Sequence, residues 1–208
     1  MIYSVSQLVE RVKLDMEELT PEWDFDYDRK NGVEISRYIR PKLVDALRRI
    51  WLSAPAAWLP VKEIAGSLEA IRRSDGSGRV VLPDGILRIV EFAMEGWKRP
   101  VVKLIGTEHP MYELQFNRYS RGGASKPVCV LSTDGSGHPI LDYFSLPASV
   151  RTHRIACAKV VEEPDENADS YEIHPALTDR VVSLCASMVY DILGNTAMAA
   201  VMQKRCAD

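Results

Sequence analysis

Asp75-Gly76-Ser77-Gly78-Arg79-Val80-Val81-Leu82-Pro83-Asp84-Gly85-Ile86-Leu87-Arg88-Ile89-Val90-Glu91-Phe92-Ala93-Met94 is the stretch at which the chain changes character. A glycine-rich turn opens it, and β-branched and apolar runs bounded by Gly and Pro follow, which is the signature of strands. Similar runs recur at residues 100–105, 127–132, 139–145 and 150–161, so with 79–82 and 86–95 they predict an antiparallel sheet. A second Asp-Gly-Ser-Gly, at 134–137, lies between two of these runs and fits a hairpin loop, where glycine supplies positive φ at little steric cost. Between strands, residues 109–119 read as a short helix carrying Met111, Tyr112, Leu114, Gln115 and Phe116.

Outside this β-rich part, residues 75–161, the pattern is helical. Ser4 and Gln7 form a capping-box pair, and Val5, Leu8, Val9, Val12, Met16 and Leu19 follow at helical spacing, predicting a helix over 5–19 that Thr20-Pro21 stops. An acidic aromatic loop, Glu22 to Asp28, leads through Asn31-Gly32 to a second periodic stretch. Its face of Ile39, Leu43, Ala46, Leu47, Ile50 and Trp51 is ended by Ala54-Pro55. Pro41 means either that the regular helix begins there or that an earlier turn is kinked. Residues 56–73 remain open between helix and loop, because Pro60 and Gly66 interrupt the spacing of Val61, Ile64, Leu68 and Ile71. Glu162 to Ser170 is rich in acids and reads as a solvated linker. Beyond it, residues 175–193 carry an apolar face too wide for one partner, with Gly194 as stop and Asn195 or Thr196 as cap of a last helix. The expected architecture is α+β within a single domain, 1–208. Helical parts at 1–55 and 171–208 form a bundle with a central antiparallel β-rich insertion.

Composition narrows the function. The chain has 208 residues, enough for a sizeable core, and its 26 basic and 29 acidic residues give a net charge of -3, which offers no chain-wide attraction for a phosphate backbone. Cys129, Cys157, Cys185 and Cys206 lack the close spacing of zinc or redox motifs and read as reduced thiols. The start lacks a secretory signal and no run of about 18 apolar residues occurs, so a soluble protein made in the cytoplasm, with no membrane partner, is expected.

Candidate chemistry is weak against the bland alternatives. Asp24, Asp26 and Asp28 match the first ligands of a calcium loop, but Arg29 and Ile35 stand where glycine and glutamate are needed, so a solvated turn is the better reading. His109, His138, His153 and His174 are scattered. His153 and Cys157 share a strand face but lie roughly 13 Å apart at strand spacing, too far for a catalytic dyad. No catalytic, metal or cofactor residue is therefore assigned. A small enzyme would have to assemble its site from distant groups such as His109, His153, Asp142 and Glu91. A nucleic-acid-binding packaging or regulatory protein would use the basic, glycine-bearing segment 118–127, through Arg118, Arg121 and Lys126, which is also material for a partner's acidic surface. Leu177, Val181, Leu184, Met188 and Ile192 form the candidate subunit-interface face of the first C-terminal helix. Trp51, Trp58 and Trp97 are core or interface anchors, core being favoured.

Three clusters in order, Leu82-Pro83-Asp84-Gly85-Ile86-Leu87-Arg88-Ile89, Trp97-Lys98-Arg99-Pro100-Val101 and Tyr112-Glu113-Leu114-Gln115 with Asn117-Arg118-Tyr119 and Lys126-Pro127-Val128, are preceded by helices and followed by Ile192-Leu193-Gly194-Asn195-Thr196. This series resembles the head-tail connector, or adaptor ring, proteins of tailed bacteriophages and prophages. Gly85 departs from the pattern, where similar sequences tend to carry an acid or polar residue, and so does Pro41. The resemblance implies a structural virion protein without enzymatic activity or cofactor. Such a protein oligomerises with itself into a ring between portal and tail proteins, in passing contact with DNA.

Overall fold

The computed structural model describes residues 1–19, 35–147 and 150–207, and the side chains of all of these except residues 17–19. The acidic aromatic loop and the Asp24, Asp26, Asp28 triplet lie outside the described residues. The chain is α+β, and the single domain expected from its length resolves into two compact units: residues 1–60 with 163–208, and residues 61–162. One boundary falls at the start of the acidic stretch read as a linker. The β-rich unit is thus an insertion into the helical one. The first two acids of that stretch serve different units: Glu162 pairs with Lys62, and Glu163 with Arg48 at 2.6 Å.

The helical unit opens with strand β1 (Ile2–Ser4), whose partner β9 (Ser170–Glu172) runs antiparallel to it. Helix α1 (Val5–Leu19) begins on the capping box: the Ser4 amide donates to Gln7 Oε1 at 2.9 Å and the Gln7 amide to Ser4 Oγ at 3.1 Å. Val5, Leu8, Val12 and Met16 are its buried face. Helix α2 (Ser36–Ser53) runs straight through the position in doubt, with Pro41 inside it, and buries Ile39, Leu43, Leu47, Ile50 and Trp51.

The wide apolar face of the C-terminal segment finds its several partners. Helix α3 (Met111–Leu114) belongs to the β-rich unit. Helix α4 (Pro175–Ile192) packs against α1, α2 and the last helix, α5 (Thr196–Ala207). His174 caps α4, its Nδ1 accepting from the Ala176 amide at 3.2 Å, with Pro175 at the first position, where its missing N–H costs nothing. The same imidazole stacks on Trp58, ring centroids 5.4 Å apart. Polar groups on so buried a helix must find acceptors. Tyr190 Oη donates to the Met16 carbonyl at 2.8 Å, Ser187 Oγ to that of Ala199 at 2.9 Å, and Arg180 Nε to that of Cys206 at 2.8 Å. Gly194, at φ +78°, ends α4, and Asn195 Oδ1 caps α5 through the Met198 amide.

The inserted unit holds two antiparallel sheets. In one, β5 (Ile86–Met94) and β2 (Lys62–Glu63) flank β8 (Ile155–Glu162). In the other, β3 (Ala70–Arg72), β4 (Gly78–Val81), β7 (Pro139–Phe144) and β6 (Val128–Thr133) follow in that order. Both sheets feed one core: Val80, Leu82, Leu141, Tyr143 and Cys129 from the second meet Phe92, Met94 and Ala158 from the first. Residues 134–137 form the expected β6–β7 loop, Asp134 Oδ1 accepting from the Ser136 and His138 amides at 2.8 and 2.9 Å.

Three expectations change. Residues 100–105 are not a strand: Val101 bridges Phe92 of one sheet while Ile105 bridges Val130 of the other, so the segment crosses between sheets and pairs with neither for long. The strand expected from residue 150 starts at Ile155, because 151–154 turn His153 onto Tyr143. The helix expected at 109–119 shrinks to α3 (Met111–Leu114) followed by turns. Gln115 Nε2 donates to the Met111 carbonyl and Asn117 Oδ1 accepts from the Tyr119 amide, local bonds that compete with helix continuation.

Candidate functional site

The basic segment lies on the excursion between β5 and β6, and one buried side chain organises it. Gln115 is 1% exposed; its Oε1 accepts from the Gly122 amide at 2.8 Å, while Ser145 Oγ donates to the Gly122 carbonyl at 2.9 Å. From this anchor the chain projects Met111, Leu114, Phe116 and Tyr119 into solvent, Tyr119 at 95% exposure. Tyr112 and Phe116 meet edge to face, ring centroids 5.1 Å apart. Of the three basic residues singled out, Arg118 and Lys126 are exposed. Arg121 is not available: its Nη1 donates to Asp75 Oδ2 at 2.6 Å and its Nη2 to the Asp75 carbonyl at 2.5 Å. Burial raises the Asp75 carboxyl, but hydrogen bonds from Ser77 and Arg121 outweigh it, and the group lies below the usual carboxylate range.

The next rung of charge is Asp142, 7% exposed on the face of β7 opposite Tyr143. Arg79 grips it with two parallel bonds, Nε to Oδ1 at 2.8 Å and Nη2 to Oδ2 at 3.0 Å, and Arg73 adds a third at 2.9 Å. These groups line a depression of about 330 Å3 together with Tyr112, Gln115 and Phe116. Every charge in it is matched, so the arrangement fixes the sheet to the excursion and offers no unsatisfied acid or base.

The four groups from which a dispersed enzyme site would be built are not brought together. Asp142 serves the arginines, and Glu91 pairs with Lys159 at 2.7 Å. His109 Nδ1 accepts from the Met111 amide at 3.1 Å. His153 Nδ1 lies 2.6 Å from Tyr143 Oη. Cys157 has Glu63 for its neighbour instead of His153, Sγ to Oε2 at 3.3 Å, and burial with that carboxylate pushes its thiol up to about 11, the reverse of an activated nucleophile. Burial likewise holds the Cys185 thiol up at about 12. Among the described residues, no group of three or more His, Cys, Asp or Glu is placed to hold a metal ion.

Tyr143 and His153 form a buried titratable pair. Burial lifts the Tyr143 phenol to about 12, so it stays protonated beside the imidazole. Burial, with Arg72 nearby, depresses the His153 pKa below its ordinary 6.5. The unfolded chain therefore takes up a proton at pH 6.5 that the folded unit refuses. Stability is full above that pH and declines as pH falls from 6.5 toward the depressed folded value. In His153→Gln this decline between pH 7 and 5 is expected to flatten, as read by urea unfolding at each pH; an unchanged slope would show that His153 does not cause it.

Of the interface face on α4, Leu177 and Val181 are fully buried within their own unit, Leu184 and Met188 are half-buried and Ile192 is exposed. Sequence reading missed a second concavity in the β-rich unit, of about 530 Å3, lined by Arg72, Arg151, His153 and Arg154 along with Glu69 and Glu95. The close spacing of Arg151, His153 and Arg154 was the available signal, hidden because that segment read as strand. No protein-family model matches the chain, and no curated protein matches it. Among the described residues, no helix is long and apolar enough to cross a membrane.

Proposed function

We propose that the protein is a structural component of a tailed-phage virion, an adaptor that assembles into a ring between portal and tail. The observation that carries the reading is the excursion itself. A buried glutamine and a buried serine hold in place a segment that presents Met111, Leu114, Phe116 and Tyr119 to solvent. Ordering large apolar side chains against water is unfavourable unless another surface covers them. The exposed end of the Leu184, Met188, Ile192 stripe supplies a second apolar face in the other unit. A closed ring needs two unlike complementary faces on each subunit. The paired state of Asp142, Glu91 and Asp75 suits a scaffold, since it rigidifies without leaving reactive groups.

Mixing the purified chain with the portal protein of the same virion is expected to give rings visible by negative-stain electron microscopy. The chain alone is free to be monomeric, because an adaptor ring can need its neighbour as template. A chain that stays monomeric in the mixture and binds neither portal nor tail components would refute the reading.

A further inference from the structure

Two sets of arginines in the β-rich unit contrast. Arg73, Arg79 and Arg121 are neutralised by Asp142 and Asp75. Arg72, Arg151 and Arg154, around the 530 Å3 depression, make no ion pair with any described residue, although Glu69 and Glu95 share the lining. Among the described residues, the one hydrogen bond these three guanidinium groups make runs from Arg72 Nη1 to the Arg151 carbonyl at 3.0 Å, which ties β3 to the turn before β8. A second, independent feature marks the same place. His153 is only 9% exposed and lines the depression, and its Nε2 is buried without a hydrogen-bond partner. A buried polar atom left unsatisfied is costly, so it signals a missing counterpart.

We propose that this depression is a phosphate-binding site, in which Arg72, Arg151 and Arg154 grip the oxygens of a phosphate group presented by a nucleic-acid backbone. Planar guanidinium forks match phosphate oxygens bidentately, which a lysine patch does not do. Three arginines against two glutamates leave one net positive charge on the lining with His153 neutral. That suits a contact held locally and weakly within a chain of net charge -3. Sequence-independent phosphate binding also fits an adaptor around a DNA passage, where base recognition would obstruct movement. The site goes beyond the adaptor reading and is tested without it.

Two probes separate the sources of phosphate: inorganic phosphate, followed by the NMR signals of the His153 imidazole, and a fluorescent 20-base-pair duplex, followed by anisotropy at several salt concentrations. Both are expected to bind, the duplex with a dissociation constant of about 10−4 M at physiological salt. In R151E/R154E, duplex binding should fall at least tenfold and the slope of log K against log salt should drop by about two, as each phosphate contact carries about 0.9. The milder R151Q/R154Q should fall in the same direction. R118E/K126E, on the excursion, should bind as the parent does. A His153 response to inorganic phosphate with no duplex binding keeps the site and assigns it to a free anion. The proposal is overturned if neither probe moves the His153 signals, or if R151E/R154E binds duplex like the parent. Because binding is read on the isolated chain, its failure leaves ring assembly untouched, and failure to form rings leaves the site untouched.

Discussion

Gly78→Ala is expected to destabilise the β-rich unit by about 3 kcal/mol or more, at the top of the range for overpacking. Gly78 opens β4 directly opposite Tyr143 of β7, and the tyrosine ring lies back across it. A Cβ at this position would run into the Tyr143 hydroxyl and ring and would stand 2.6 Å from the Ile71 carbonyl oxygen. The ring cannot yield, because Tyr143 is fully buried, hydrogen-bonded to His153 and wedged against Trp97, centroids 6.4 Å apart. The carbonyl cannot yield without parting β3 from β4. For a unit of this size such a loss corresponds to a fall in melting temperature of roughly 12 °C or more. Tyr143→Phe in the same background should not restore it, since the ring carbon and the carbonyl remain in the way. A Gly78→Ala protein melting within two degrees of the parent would show that the sheet pairing is looser than described.

Why some of this was legible in the sequence and some was not follows from the range of the interactions. The capping box at Ser4 and Gln7, the Gly194 stop and the Asp134 turn are decided by neighbours within four residues, and each stands where the spacing placed it. The burial of α4 against three helices was announced by an apolar face too broad for one neighbour. Segments that failed did so through partners far along the chain. Residues 100–105 have strand composition but are divided between Phe92 and Val130, and no local pattern reports that division. The first Asp-Gly-Ser-Gly does not repeat the second: Gly76 takes positive φ in one turn and Gly137 in the other, and Gly78 of the first is already paired with Tyr143, 65 residues away in sequence. Distance also decided the basic sites. Arg121 was singled out by its neighbours Arg118 and Lys126, and a distant carboxylate removed it; Arg72 and Arg151, 79 residues apart, looked ordinary and share one depression.

Two substitutions on α4 separate the work of folding from the work of assembly. Leu177→Ala is expected to cost the helical unit about 3 kcal/mol, because Leu177 is fully buried where α4 meets its neighbours and truncation leaves a cavity that packed helices fill only in part. Ile192→Ser, about one turn beyond Met188 on the same stripe and already 46% exposed, should change stability by no more than about 0.5 kcal/mol. Its effect is expected on the ring. An isoleucine newly buried between subunits contributes about 1.5–3 kcal/mol, so its loss should weaken assembly on the portal at least tenfold. The measurements are urea unfolding of each variant and sedimentation of each with the portal. Leu177→Ala that unfolds like the parent would contradict the packing of α4. Ile192→Ser that is stable and assembles normally would place the subunit contact elsewhere, with the exposed Phe116 and Tyr119 excursion the next surface to substitute, since it presents the largest ordered apolar side chains outside either core.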